Sequence, residues 1–231
     1  MADMGGQHFF PRRAVVMTAS FSSRTIDPGK AGFQYSAAFK AFITNKRRLR
    51  SFVAAAGTGH KSFKVYEITR FFISRSIDGD GAILDIGCAN GFLLRCLQEW
   101  SGRSLVPYGV DKDASLVRKA KLLFPRHAAN FVAADLSIEP DLARIWPQTR
   151  FDYIYWNVWD NYSFKAQKET ELLEACSRRL RAGGRLILGF YESDTNKSAK
   201  VRYLLGHGFR QSLRNSCHRR QGEVIVWKDM K

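Results

Sequence analysis

The chain has 231 residues, 45% hydrophobic and 13% aromatic, enough to bury one sizeable core. No apolar run approaches the roughly 18 residues a helical membrane span needs, so none is expected. The formal charge of +16 is uneven: residues 1–78 carry 13 Lys/Arg against 4 Asp/Glu, residues 79–160 carry 9 against 10, and residues 161–231 carry 15 against 7.

Residues 1–30 lack periodicity and contain Gly5-Gly6, Pro11 and Asp27-Pro28-Gly29, which predicts an irregular tail. Residues 4–26 are rich in Arg and Ser and free of acids. Organelle transit peptides share that composition, but a plain tail is the expectation. Apolar residues at helical spacing predict a helix over 35–56 (Phe39, Phe42, Ile43, Leu49, Phe52, Val53), stopped by Gly57-Thr58-Gly59. A second helix is predicted over 62–76, with Phe63, Tyr66, Ile68, Phe71 and Phe72 on its apolar side. Together these make a helical N-terminal unit over 31–78.

From residue 79 the rhythm changes. Short apolar runs predict strands over 82–86, 107–111, 130–134, 151–156 and 185–190, alternating with helices over 92–100, 114–123, 165–180 and 198–206. Such alternation implies a parallel sheet covered on both faces. Two further strands, 209–213 and 224–228, suit an antiparallel terminal hairpin. The expected fold is therefore α/β: a doubly wound, Rossmann-like, seven-stranded sheet over 79–231, with an N-terminal helical lid.

The four cysteines, Cys88, Cys96, Cys176 and Cys217, form no CxxC pair, and no HExxH cluster is present. No metal site is expected. The thiols read as buried hydrophobes in a reducing, cytoplasmic setting.

The chemistry concentrates at strand ends, where open α/β sheets bind ligands. After the first strand the chain reads Asp85-Ile-Gly87-Cys-Ala89-Asn-Gly91. A dinucleotide loop GxGxxG would need glycines at 87, 89 and 92, but Ala89 and Phe92 break it. A carboxylate at 85 would also repel a pyrophosphate, and instead suits a ligand with a positive end. The segment resembles the first motif, D-x-G-x-G-x-G, of the class I S-adenosylmethionine-dependent methyltransferases, with Ala89 in place of the middle glycine. That resemblance covers about residues 80–230. It implies S-adenosylmethionine as cofactor, with Asp85, Gly87, Ala89 and Gly91 around its methionine end. It further implies Asp111 and the adjacent Lys112 at the ribose, Asp135 and Leu136 at the adenine, and Asn157 beside the transferable methyl.

The fourth strand leads into Asn157-Val-Trp159-Asp160-Asn161-Tyr162. Asp160 is the candidate general base or anchor for a substrate amine, with Asn157 and Tyr162 as further catalytic candidates, and Trp159 as a candidate wall. The [N/D/S]-P-P-[Y/F/W] motif common in adenine and glutamine N-methyltransferases is absent here. Tyr35, Lys61, Lys64 and Tyr66 are candidate lid contacts to the methionine carboxylate or the acceptor, and His60 is a lesser candidate base. A small-molecule O or N acceptor is the first expectation. RNA is the alternative, held by Lys46-Arg47-Arg48-Leu49-Arg50, by Arg178, Arg179 and Arg181, and by Arg219-Arg220.

Overall fold

The computed structural model describes residues 34–55, 62–191, 193–214 and 223–230. The N-terminal tail, Lys61, His60, Cys217 and Arg219-Arg220 lie outside those residues. Among the described residues no helix is long and apolar enough to cross a membrane.

The N-terminal region holds α1 (Ala37–Thr44), α2 (Lys46–Ala55) and α3 (Phe63–Arg70), the last continuing into a 3-10 turn over Phe71–Ser76. The single helix expected over 35–56 is two. Asn45 leaves the helical conformation (φ −75°, ψ 88°). Its side-chain oxygen then accepts from the Arg48 amide at 3.0 Å, a capping bond that starts α2.

There follow β1 (Gly81–Ile86), α4 (Phe92–Ser101), β2 (Leu105–Asp111), α5 (Ala114–Leu123) and β3 (Phe131–Ala133). The remainder comprises α6 (Leu142–Ile145), β4 (Phe151–Asn157), α7 (Gln167–Arg179), β5 (Leu180–Phe190), α8 (Lys197–Gly206), β6 (Arg210–Arg214) and β7 (Val224–Asp229). The short α6, capped by Asp141 through the amides of Ala143 and Arg144, has no counterpart in the sequence reading.

The strands form one seven-stranded sheet in the order β3-β2-β1-β4-β5-β7-β6. All neighbours are parallel except β7, which runs antiparallel to both β5 and β6. Period-two alternation splits the strand side chains between two apolar layers. Ile83, Tyr153, Tyr155, Ile187 and Ile225 pack with α1–α5, whereas Leu84, Ile154, Trp156, Leu186 and Leu188 pack with α6–α8.

The N-terminal helices converge on Phe92, the first residue of α4, which is fully buried. Rings of Phe42, Phe52, Phe63 and Tyr66 lie 5.9, 6.2, 6.1 and 5.1 Å from it. Since Phe92 directly follows the glycine loop, this aromatic cluster fixes the helices against that loop. Buried Asn90 adds a polar tie, its amide donating to the Phe52 carbonyl at 2.8 Å and its oxygen accepting from Phe92 N at 3.1 Å.

Candidate active site

The parallel register brings the carboxyl ends of the strands level, pairing Ile86 with Val110, Ile86 with Trp156, Asp111 with Ala133 and Asn157 with Gly189. The loop after β1 folds over the end of β2: the amides of Gly87 and Cys88 both donate to the Val110 carbonyl, at 2.8 and 3.0 Å. Gly87, Ala89 and Gly91 have φ of 77°, 48° and 73°. At Gly91 an added Cβ would sit 3.1 Å from Ala120 Cβ and 3.2 Å from the Phe124 ring, so only glycine lets α4 approach α5 so closely.

Two cavities meet at Gly87. The larger, about 280 Å³, is lined by Asp111, Lys112, Asp135, Leu136, Trp159 and Tyr162 among others. Its volume is near the lower end of small-molecule sites, about 300–1,000 Å³. The smaller, about 30 Å³, lies between Asp85, Ala89, Asn157, Arg70, Tyr66 and Tyr191. The candidate residues thus gather in one cleft, with two exceptions. Gly91 spaces helices instead of lining a cavity. Asp160 is exposed and lines neither cavity, and its carbonyl accepts from Lys200 Nζ at 3.0 Å.

Of the lid candidates, Tyr66 lines the small cavity. Tyr35 instead packs 5.2 Å from the Phe39 ring, and Lys64 is exposed. Sequence reasoning missed Arg70 and Tyr191. Arg70 is 2% exposed and 3.2 Å from Glu223, with its guanidinium 4.8 Å above the Tyr191 ring. Its Nε is buried without a hydrogen-bond partner among the described residues. Phe63, Tyr66 and Arg70 recur at helical spacing, which places Arg70 on the inward face of α3.

Burial sets the electrostatics of the small cavity. It pushes the Asp85 carboxyl well above the usual carboxylate range, reinforced by Asp111 and opposed by Arg70. Burial also opposes the charge on Arg70, but Glu223 and the surrounding tyrosines outweigh it and raise the pKa. The hydroxyls of Tyr66, Tyr155 and Tyr191 are raised, chiefly by burial, and remain protonated donors. The Asn157 amide, oriented to satisfy its neighbours, donates to the Gly189 carbonyl at 3.0 Å and accepts from Arg70 at 3.2 Å and Tyr191 at 2.9 Å.

In the large cavity, Asp111 accepts from the amides of Ala89 (2.8 Å) and Asp113 (2.9 Å). Asp135 is held below the usual carboxylate range, first by the Ser137 hydroxyl and with help from Lys112. Tyr162, 5% exposed, is pushed up to about 12 by burial, Glu169 and Asp135. It is a neutral hydroxyl at physiological pH.

The basic groups divide. Lys46, Arg47, Arg48 and Arg50 of α2 all face solvent. Arg178 pairs with Glu174 at 3.3 Å and Arg181 with Asp152 at 3.2 Å. Arg179 is turned inward, 8% exposed, with its guanidinium donating to the carbonyls of Trp146 and Thr149.

A parallel sheet with one reversed strand, a tight loop after β1 and acids at the ends of β1 and β2 define a Rossmann-like nucleoside-binding fold. Residues 83–184 match the family described as methyltransferase domain. The chain thus contains a segment similar to methyltransferase domains, running from β1 into β5. Among solved structures it is similar to the TehB-like SAM-dependent methyltransferase from Corynebacterium glutamicum, with 22% identity and a TM-score of 0.54 over 83% of this chain and 99% of that one. It is also similar to an rRNA methylase from Streptococcus thermophilus, with 17% identity and a TM-score of 0.50 over 72% and 96% of the two chains. The N-methyltransferase NodS from Bradyrhizobium japonicum aligns with 15% identity and a TM-score of 0.51 over 73% and 96%. At these identities the likenesses speak for the fold alone. No curated protein matches the chain.

Proposed function

We propose that the chain transfers the methyl group of S-adenosylmethionine to an O or N atom of a small-molecule acceptor seated at the end of β4. The observation that carries this reading is the pair of cavities meeting at Gly87 with different linings. The large one suits a nucleoside. Asp111 is an acceptor for ribose hydroxyls, Asp135 and the amide of Leu136 serve the adenine edge, and Ile86, Val110 and Leu136 give apolar walls. The small one suits an amino-acid end. Asp85 faces the ammonium, and Arg70, with its unused Nε, faces the carboxylate. At about 30 Å³ it holds about one water. Seating the amino-acid end therefore requires the side chains around it to part.

The cofactor, when bound, supplies an electrophilic methyl group; the protein's task is alignment and proton management. Asn157, at the end of β4, lines the small cavity, and Trp159 and Tyr162 wall the large one on the side where the loop after β4 leaves the sheet. Tyr162 is a hydrogen-bond donor in this reading, because its hydroxyl titrates too high to act as a base. Asp160, exposed beside Trp159, serves as base only for an acceptor that reaches the solvent side.

A second reading, RNA as acceptor, is favoured by one observation. The α2 helix turns Lys46, Arg47, Arg48 and Arg50 outward while Phe52 and Val53 are buried, and Phe52 is bonded to Asn90 of the glycine loop. A row of cations on the first turns of a helix docked to the cofactor loop suits a phosphate backbone.

The deciding experiment is transfer of label from methyl-labelled S-adenosylmethionine into fractionated cell extract. Label in the low-molecular-weight fraction supports the first reading. Label confined to RNA, lost when Lys46, Arg47 and Arg50 are replaced by Glu, supports the second and overturns the first.

A further inference from the structure

The loop between β4 and α7 supplies Trp159, Asn161 and Tyr162 to the wall of the large cavity. The sheet holds only its beginning, where the Val158 amide donates to the Gly189 carbonyl at 2.9 Å. Its end is held from α7, where Glu169 accepts the amides of Ser163 at 2.8 Å and Lys165 at 3.2 Å, and its middle is held from α8. Lys200 Nζ lies 3.1 Å from the Trp159 carbonyl, 3.0 Å from the Asp160 carbonyl and 2.7 Å from Asp194 Oδ2. An ammonium has three N–H donors, and each here has an acceptor. The other Asp194 oxygen accepts from the Asn196 amide at 2.8 Å, just before α8 begins. Both side chains of the pair are 1% exposed.

A buried ion pair is weak as a source of stability. Replacing both partners by apolar residues of similar volume is often neutral or stabilising. What Lys200 does and an apolar side chain does not is grip two successive carbonyls. Those peptides carry Trp159, whose indole nitrogen lies over the open face of Gly87, 3.7 Å from where a Cβ would stand. One turn further along α8, Tyr203 stacks on Phe164 at 5.7 Å and holds the far end of the same loop. The Asp194 amide donates to the carbonyl of Tyr191, a residue of the small cavity. The pair therefore ties the loop after β4 to the segment after β5, one bordering each cavity.

We propose that Lys200 is a positioning residue: with Asp194 it fixes the Trp159–Asp160 backbone so that Trp159 closes the cofactor cleft against Gly87. The proposal rests on the reading of that cleft as the S-adenosylmethionine site. It is tested by calorimetric titration of the full chain with S-adenosylmethionine, well below the melting temperature. The double variant Lys200→Met/Asp194→Leu removes the grip without stranding a charge. It is expected to melt near the wild type yet bind about tenfold more weakly, the scale for losing charge-assisted hydrogen bonds. Trp159→Ala should weaken binding to a similar degree, and combining it with the double variant should add little, because both act on one wall. A double variant that binds like the wild type, or losses that add fully, overturn the proposal. Should the double variant not fold, Lys200→Leu/Asp194→Asn, which removes the donors to both carbonyls and keeps an acceptor for the Asn196 amide, answers in its place: weakened binding supports the grip and unchanged binding overturns it. Failure of the wild type itself to bind would strike the site reading and leave the clamp without its premise.

Discussion

Asp111 Oδ2 accepts the backbone N–H of Ala89 at 2.8 Å, so the carboxylate ending β2 holds the glycine loop that follows β1. The same side chain lines the large cavity, and its Oδ1 accepts from the Asp113 amide. Each carboxylate oxygen has two acceptor sites, which leaves capacity on both for a ligand. Asp111→Ala removes a ligand acceptor and a loop support together. S-adenosylmethionine affinity is expected to fall by about 1–3 kcal/mol, the cost of leaving hydrogen-bonding groups unpaired. Calorimetric titration giving the wild-type affinity would remove Asp111 from the site.

Ala89 adopts φ 48°, a left-handed conformation at the position where the motif's middle glycine is replaced. That conformation costs a residue with a Cβ roughly 1–2 kcal/mol, while glycine loses about 0.5–1 kcal/mol more backbone entropy on folding. Relief of strain is the larger effect. Ala89→Gly is expected to stabilise the chain by up to about 1 kcal/mol, read as a higher urea midpoint at unchanged slope. A lower midpoint would mean that the Asp111 bond makes the left-handed turn comfortable for alanine.

Asp85 links this loop to pH. Burial, with Asp111, holds its carboxyl pKa well above the usual range. The folded state therefore binds the Asp85 proton more tightly than the unfolded chain, whose pKa is about 3.9. The resulting stability is complete below that value and is lost as pH rises through the folded pKa. Asp85→Asn carries no such proton. Its stability advantage over the wild type should grow between pH 4 and neutrality, measured as the difference in urea midpoints. A difference constant with pH would show that Asp85 is ionised in the folded protein throughout.

The acids were legible from sequence because each sits where a short apolar run ends, and strand ends on one side of a parallel sheet share one ligand face. Asp85, Asp111 and Asp135 follow that local grammar. Arg70, Tyr191 and Lys200 do not. Arg70 reaches Asn157 from α3, and Lys200 reaches Trp159 from α8, through contacts that span dozens of residues. A charged residue on the apolar face of a helix was the available sign for both: Arg70 with Phe63 and Tyr66, and Lys200 with Val201 and Leu204. The break at Asn45 was also readable as a capping residue inside an apolar pattern. The early start of β5 at Leu180 was not, because Gly183-Gly184 reads as a turn, while Phe151–Leu180 pairing carries the strand past it.

Arg70 offers the sharpest division between holding the fold and holding the ligand. Its guanidinium faces Glu223, the Tyr191 ring and the Asn157 amide, and it lines the small cavity. Arg70→Lys keeps a buried cation for Glu223 but loses the planar fork suited to a carboxylate. Losing charge-assisted bonds of about 1.5–3 kcal/mol should weaken S-adenosylmethionine binding by roughly tenfold or more. The large cavity is untouched, so 5′-methylthioadenosine, which keeps the nucleoside and lacks the amino-acid end, should bind the variant and the wild type alike. If both ligands weaken equally, Arg70 shapes the cleft as a whole, and the carboxylate partner must be sought elsewhere.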